Sequence, residues 1–295
     1  MTTQILLPRN FTSQCSHNFV GNIVLADQTP VDDHINFNFA NLGFIDGVGL
    51  TILCNTIEWL FKRQVKCTFS DFREGSDPIS YLDDCGFFAN YLGAPLRATS
   101  HVRQTTVPLT KIRYVESHGW LDLRATPWLS NALIVQDRAL GTIRACIKEV
   151  FNNVADHSTE NIACVHMQHY PNKNQIQITI SDFGLGIPAN ISRSYEVEND
   201  GLAISLATNE GVTSKSHPNN RGAGLKTLVD CVTMNGGHVN ICSMRGRVTC
   251  YRNAAGQVLK VPEVYPGIYP GTLVNIILKT DLFVGDDDEE VNFEW

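Results

Sequence analysis

The apolar positions change period along the chain, and those changes mark its elements. Ile35-Asn36-Phe37-Asn38-Phe39 alternates apolar and polar residues, the pattern of a half-buried strand. Over residues 47–61 the period lengthens to that of a helix, with Leu50, Leu53, Ile57 and Leu60 on one stripe. Residues 64–69 return to a strand pattern. Asp77-Pro78 then opens a further helix, with Asp77 as N-cap and proline at the first position. Strands therefore alternate with helices over residues 20–95. Residues 93–128 are less regular, interrupted by Pro95, Pro108 and Pro127, and the domain connection is placed there.

A long helix is expected over residues 129–157, with a break near Gly141. Residues 162–170 and 176–181 read as two strands joined by Pro171-Asn172-Lys173-Asn174, a hairpin with turn chemistry at its join. A glycine-bearing, lid-like stretch follows, and residues 225–234 form a helix stopped by Asn235-Gly236-Gly237. Residues 238–243, 247–252 and 273–278 read as further strands. Helices over a mostly antiparallel sheet give an α+β class.

Composition narrows the setting. The chain has 295 residues and a formal net charge of −7. Six of its acids lie in the last ten residues, leaving 24 acids against 23 bases in the body. Nucleic-acid binding is therefore not supported by charge, and the tail reads as a solvated end. No apolar run is long enough for a membrane span. The first ten residues lack a basic segment followed by an apolar core, so no secretory leader is expected. Nine scattered cysteines without a C-x-x-C pair point to reduced thiols in a cytoplasmic protein.

Three segments carry candidate chemistry. Glu149, Asn153 and His157 are spaced i, i+4, i+8 and share one narrow helix face, beside a stripe of Ile143, Ile147, Val150 and Val154 that can meet a core. An asparagine oxygen suits Mg²⁺, whose shell phosphate oxygens can complete, and a carboxylate one turn away can activate a water or hydroxyl. The same spacing also fits a solvated helix face. In Asp182-Phe183-Gly184-Leu185-Gly186-Ile187-Pro188 an aspartate able to accept from an exocyclic amine follows a strand, and the glycines permit close approach to a ligand. In Arg221-Gly222-Ala223-Gly224-Leu225 glycines precede a helix N-terminus, whose free N–H groups bind anions, and Arg221 adds charge. Plain glycine turns would use the same residues. Residues 184–189 also fit G-x-G-x-x-A formally, but the preceding strands pair as a hairpin and no apolar-periodic helix follows, which argues against a dinucleotide unit. No Walker-type P-loop is present.

The order of these segments, closed by Gly271-Thr272, resembles the nucleotide pocket of the GHKL superfamily: gyrase-type ATPases, histidine kinases and anti-sigma-factor serine kinases. Residues 149–158 resemble its asparagine box, 182–188 its first glycine box and 221–225 its second. Glu210-Gly211-Val212-Thr213-Ser214-Lys215 looks like the lid of small members. The resemblance implies ATP and Mg²⁺ as cofactors and assigns roles by position. Asn153 binds the metal; Asp182, with Thr272, contacts adenine; Gly184 and Gly186 shape the base pocket. Gly222, Gly224 and Leu225 cradle phosphates beside Arg221, and Glu149 is the general base. Asp156 departs from histidine kinases, and neither His101 nor His118 lies in a phosphoacceptor helix motif.

Phe44-Ile45-Asp46-Gly47-Val48-Gly49-Leu50 resembles the D-S-S-G-L turn of STAS domains, with Gly47 and Val48 in the two serine positions. The resulting expectation is a smaller α/β STAS-like domain over 1–95, a connector over 96–128, a GHKL (Bergerat-type) α/β sandwich with a mostly antiparallel sheet over 129–282, and an acidic tail over 283–295. Three functional readings follow. The first is a regulatory ATPase; the second is a serine/threonine kinase acting on a protein partner. The third is a switch whose long lid, about 189–220, is ordered by ATP. A partner docking on the N-terminal domain and a homodimer both fit the resemblance.

Overall fold

The computed structural model describes residues 2–157, 162–212 and 224–286. The chain opens with β1 (Thr3–Leu6), β2 (Asn10–Phe11), α1 (Ser16–Gly21), β3 (His34–Asn38), β4 (Phe44–Ile45), α2 (Gly47–Lys62), β5 (Lys66–Ser70), α3 (Asp77–Asp84) and α4 (Phe87–Leu92). It continues through β6 (Thr106–Arg113), α5 (Tyr114–Trp120), α6 (Thr126–Leu133), α7 (Gly141–His157), β7 (Ile162–Tyr170) and β8 (Gln175–Asp182). The remaining elements are α8 (Gly186–Ile191), α9 (Asp200–Ala207), α10 (Gly224–Met234), β9 (His238–Arg252) and β10 (Val258–Lys279). No helix among the described residues is long and apolar enough to cross a membrane.

The architecture is the expected mixed α+β class. Strands β1, β3 and β5 form a parallel sheet in the order β1-β3-β5. A larger sheet has the order β6-β7-β8-β10-β9, with every neighbouring pair antiparallel. Its first strand, β6, lies within residues 96–128, so that stretch contributes directly to the sheet.

Strand alternation gives the larger sheet two different faces. Its front face carries Val165 and Met167 of β7, Ile176, Ile178 and Ile180 of β8, and Val274, Ile276 and Leu278 of β10. These pack in one cluster with Leu129 of α6, Ile143, Ile147 and Val150 of α7, and Leu228 and Val232 of α10. The back face is more polar, with His166, Thr179, Ser181 and Asn275 all buried. Helix α2 covers part of it, packing on β7 and β8. Asn55 of α2 donates through Nδ2 to Ser181 Oγ at 3.0 Å, and Thr179 Oγ1 donates to Asn275 Oδ1 at 3.2 Å. Buried polar groups need such partners, because an unpaired one forfeits its hydration without compensation.

Helix α2 buries Val48, Ile52, Cys54 and Trp59 as well as the expected Leu50, Leu53, Ile57 and Leu60. It is a two-sided core helix between two sheets, and a one-stripe reading captures only one of its faces. The expected 129–157 helix is two helices. α6 stops at Leu133 because Ile134 turns left-handed (φ +59°), and a 3₁₀ turn at Asp137–Leu140 leads into α7. The N-cap position of α3 is Ser76, with extended backbone, and Asp77 is already helical. The strands expected over 238–243 and 247–252 are one strand, β9, which passes through a left-handed Met244 (φ +51°). The lid-like stretch contains α8 and α9 as far as it is described, and residues 213–220 lie outside the described set. Asp286, first acid of the tail, accepts from the Thr142 N–H at 2.7 Å and so anchors to the start of α7; residues 287–295 lie outside the described set.

The N-terminus of α2 has a strict steric demand. Asp46 caps it, accepting from the Gly49 N–H at 2.9 Å. A Cβ at Gly47 would lie 2.6 Å from His166 Nδ1 and 3.1 Å from Gln177 Oε1. A side chain at this position would therefore push against His166 of β7 and Gln177 of β8. Gly47→Ser is expected to destabilise the fold by about 2 kcal/mol through overpacking. A midpoint of chemical denaturation equal to that of the unmodified protein would show that the interface yields freely.

Candidate functional site

Helix α7 is fixed by its apolar face. Ile143, Ile147, Val150 and Phe151 are buried, and Trp120 of α5 meets Phe151 edge-on at 6.0 Å. Glu149 and Asn153 are half-buried beside that face. The side chains of Val154 and His157 lie outside the described set. The Glu149 carboxylate accepts from Asn152 Nδ2 at 3.0 Å. Its stem runs directly beside the first residue of α10: a Cβ at Gly224 would stand 2.0 Å from Glu149 Cγ and 3.0 Å from Oε1. No side chain fits at position 224 while Glu149 holds this rotamer. A carboxylate is thus placed against the N-terminal end of an eleven-residue helix, the end whose first N–H groups have no intrahelical partner. Arg221 and Gly222 lie outside the described residues.

A second group of expected residues meets at the end of β8. Asp182 pairs in register with Thr272 of β10. It is buried, and burial pushes its carboxyl up to about 7, opposed by the Thr272 N–H that donates to it. Gly271, at φ +89°, brings β10 so close that a Cβ there would lie 2.3 Å from Asp182 O and 2.5 Å from Gly184 N. Both the left-handed backbone and the contact require glycine. Gly186, at φ +78°, opens α8 against Ser243 and Gly271.

The two groups flank one layer. Ile187, following Gly186, and Leu225, following Gly224, both pack on the front-face core and on the small cluster of Ile191, Ala203 and Ala207. The structure thus brings Glu149 to Gly224, Asp182 to Thr272, and Gly271 to Asp182, Gly184 and Gly186, while Leu225 and Ile187 share the same two apolar clusters. Lys226 pairs with Asp230 one turn on in α10 at 2.6 Å and lies 3.8 Å from Glu210 of the lid-like stretch. A surface cavity of about 440 Å³ lined by Gly236, Gly237, His238, Thr249, Tyr251 and Arg252 lies at the other end of α10 and takes no part in this layer.

Ser243 of β9 has no counterpart in the sequence reading. Its hydroxyl donates to Gly271 O at 2.5 Å and accepts from the Ile187 N–H at 2.9 Å, so one side chain clasps the two glycine turns together. A serine interrupting a strand pattern is too common a signal to find it. Asn152 likewise carries no spacing signal, because Asn153 occupies the i+4 position from Glu149.

No protein-family model matches the chain, and no curated protein matches it. Among solved structures, the ATPase region of Saccharomyces cerevisiae topoisomerase II is similar over 51% of this chain and 40% of that one, at 12% identity and a TM-score of 0.30. The same region bound to ICRF-187 (dexrazoxane) gives 13% and 0.31 over the same shares. The ATPase and transducer domains of DNA topoisomerase II from Balamuthia mandrillaris give 15% and 0.31, again over 51% and 40%. The chain thus spans about two fifths of each of these.

The raised Asp182 carboxyl has a measurable consequence. Between the ordinary aspartate value of 3.8 and about 7, the unfolded chain is ionised at this position while the folded chain keeps its proton. Stability from this group is therefore lost as pH rises through that window. Asp182→Asn is expected to raise the thermal midpoint at pH 8 by about 4 °C or more relative to its effect at pH 4. The check is a pair of melting curves at each pH; an equal shift at both would show that Asp182 is not desolvated.

Proposed function

We propose that the chain is a Mg²⁺-dependent ATP-binding protein of the GHKL type, acting as a regulatory ATPase in which Glu149 activates water. The observation that carries this reading is the seat of the Glu149 carboxylate against Gly224, at the helix end suited to a phosphate chain. Asp182, buried beside Thr272, is a hydrogen-bond partner for the adenine amine, and Gly184 and Gly186 shape the space around the base. Gly222, Gly224 and Leu225, with Arg221, cradle the phosphates. In the reaction, Glu149 takes a proton from water, whose oxygen attacks the γ-phosphorus. The bond from that phosphorus to the β–γ bridging oxygen breaks with its electron pair on ADP, leaving ADP and inorganic phosphate.

Asn153 offers an amide oxygen of the kind Mg²⁺ accepts, one helical turn beyond Glu149. Among the described residues no group of three or more His, Cys, Asp or Glu could hold a metal ion, so phosphate oxygens and water would complete the shell. When bound, the metal neutralises charge on the β- and γ-phosphates. The first 95 residues are read as a STAS-like module and residues 129–282 as the ATP-binding domain. Since the 46–49 turn is buried against β7 and β8, a protein partner would dock on another surface of that module. The proposed setting is the cytoplasm, where nine free thiols stay reduced.

A second reading, an ATP-gated binding switch, is favoured by one observation. The chain neighbours of Asp182 touch α2: Ser181 of β8 through Asn55, and Phe183, just past the strand, through Trp59, edge-on at 6.0 Å. A nucleotide at Asp182 would thus be sensed by the N-terminal module.

Purified protein incubated with Mg²⁺ and γ-labelled ATP separates these readings. Wild type is expected to release labelled phosphate. Glu149→Ala is expected to bind ATP within about twofold and to lose about 100-fold or more of its turnover. Equal turnover in both would remove Glu149 from the mechanism. Label on added protein would indicate a kinase, and intact ATP in both samples the switch.

A further inference from the structure

We propose that Asn152 and Tyr114 are positioning residues for Glu149, an inference that rests on the reading of Glu149 as the general base. Asn152 stands three residues after Glu149 on α7, and its amide is used at both ends. Nδ2 donates to Glu149 Oε2 at 3.0 Å, and Oδ1 accepts from the Tyr114 hydroxyl at 3.2 Å. An ionised carboxylate can only accept, so the amide must present its nitrogen to Glu149. That leaves its oxygen toward Tyr114, whose phenol has a proton to give. Both ends of the amide are satisfied in one orientation only.

The chain Tyr114–Asn152–Glu149 holds the base from one side, and the Gly224 backbone holds its stem from the other. Oε2 is thereby occupied by Asn152. Oε1, which lies beside Gly224 and accepts no hydrogen bond among the described residues, is the oxygen assigned to take the proton. Hydrogen bonds in series polarise one another, so the phenol also strengthens the amide's donation to the carboxylate. Fixing an acting group in one rotamer contributes to rate because misplacement of even about 1 Å is costly.

Tyr114 is the first residue of α5, which lies outside every motif that carries the candidate chemistry. Its helix is anchored independently. Trp120 packs edge-on against Phe151 of α7, and Glu116 accepts from the Arg113 backbone N–H at 3.3 Å and pairs with the Arg113 guanidinium at its start. Removing the phenol oxygen alone therefore leaves the docking of α5 intact.

The test measures steady-state hydrolysis of Mg·ATP and, separately, ATP binding by the full chain. Tyr114→Phe is expected to lower kcat about fivefold and Asn152→Ala about tenfold, each with an ATP Kd within about twofold of wild type. The double variant should fall no further than Asn152→Ala, and Tyr114→Phe should change nothing in a Glu149→Gln background. A wild-type kcat in Tyr114→Phe, or losses that simply multiply in the double variant, overturns the proposal while leaving Glu149 as base. A parallel loss of ATP affinity and melting temperature in Tyr114→Phe overturns it in favour of a structural role. A wild type that binds ATP but releases no phosphate overturns the reading of Glu149, and this proposal with it.

Discussion

The two-residue alternation of β8 is the constraint on which the rest of the molecule depends. Ile176, Ile178 and Ile180 point to the front-face core, and Asp182 continues their register. Gln177, Thr179 and Ser181 point the other way. β8 lies between β7 and β10, so it is hydrogen-bonded along both edges and cannot slip by one residue without exchanging its two faces. Such a slip would bury the polar set in an apolar core and turn Asp182 away from the glycine turns. The apolar set therefore fixes the position of the aspartate.

The polar back face creates a demand that α2 meets in part, since His166 Nδ1 is buried without a hydrogen-bond partner among the described residues. A sheet with histidine, threonine, serine and asparagine buried on one side needs hydrogen-bonding cover or water. Asn55 reaches Ser181, whose hydroxyl also meets the Tyr269 hydroxyl at 2.5 Å. His166 is held neutral, pushed down to about 3 by burial, with Gly47 against its Nδ1. Asp46 at the same helix start is pushed up to about 6 by burial, against the N–H groups of Gly49 and Val48. The other side of α2 joins the apolar residues of β3 in the N-terminal core. One helix thus closes two sheets, which explains why nearly every position along it is buried.

Much of this was legible in the sequence because the periodicities are strong. The β7–β8 hairpin, the apolar stripe of α7, the glycine stop after α10 and the antiparallel character of the large sheet all have clear local signals. Less was legible where a long-range contact decides. Ile134 in a left-handed conformation ends α6, although a β-branched residue gives no stop signal. Ser243 and Tyr114 matter through partners 28 and 38 residues distant in sequence, and neither carries a motif. For Gly47 the glycine was visible, but its reason was not, since His166 meets it only in the folded chain. At the site, spacing picked out Glu149 and Asn153. It could not show that Asn152, on a different azimuth of the same helix, is the residue that holds Glu149.

The same alternation also limits how the candidate site can move. Asp182 sits between Ser181 and Phe183, and Phe183 packs edge-on with both Trp59 of α2 and Tyr269 of β10. A displacement of the strand end toward or away from a ligand must move these neighbours too, because a strand paired on both edges transmits a shift along its backbone. Ser181 is held by Asn55 and by the Thr272 carbonyl, 3.2 Å from its hydroxyl. Thr272 is in turn the residue whose N–H steadies Asp182. The front-face carboxylate and the back-face helix are thus joined through two residues of one strand pair. A continuous path of packed side chains between the two halves thus follows from contacts that the fold already requires.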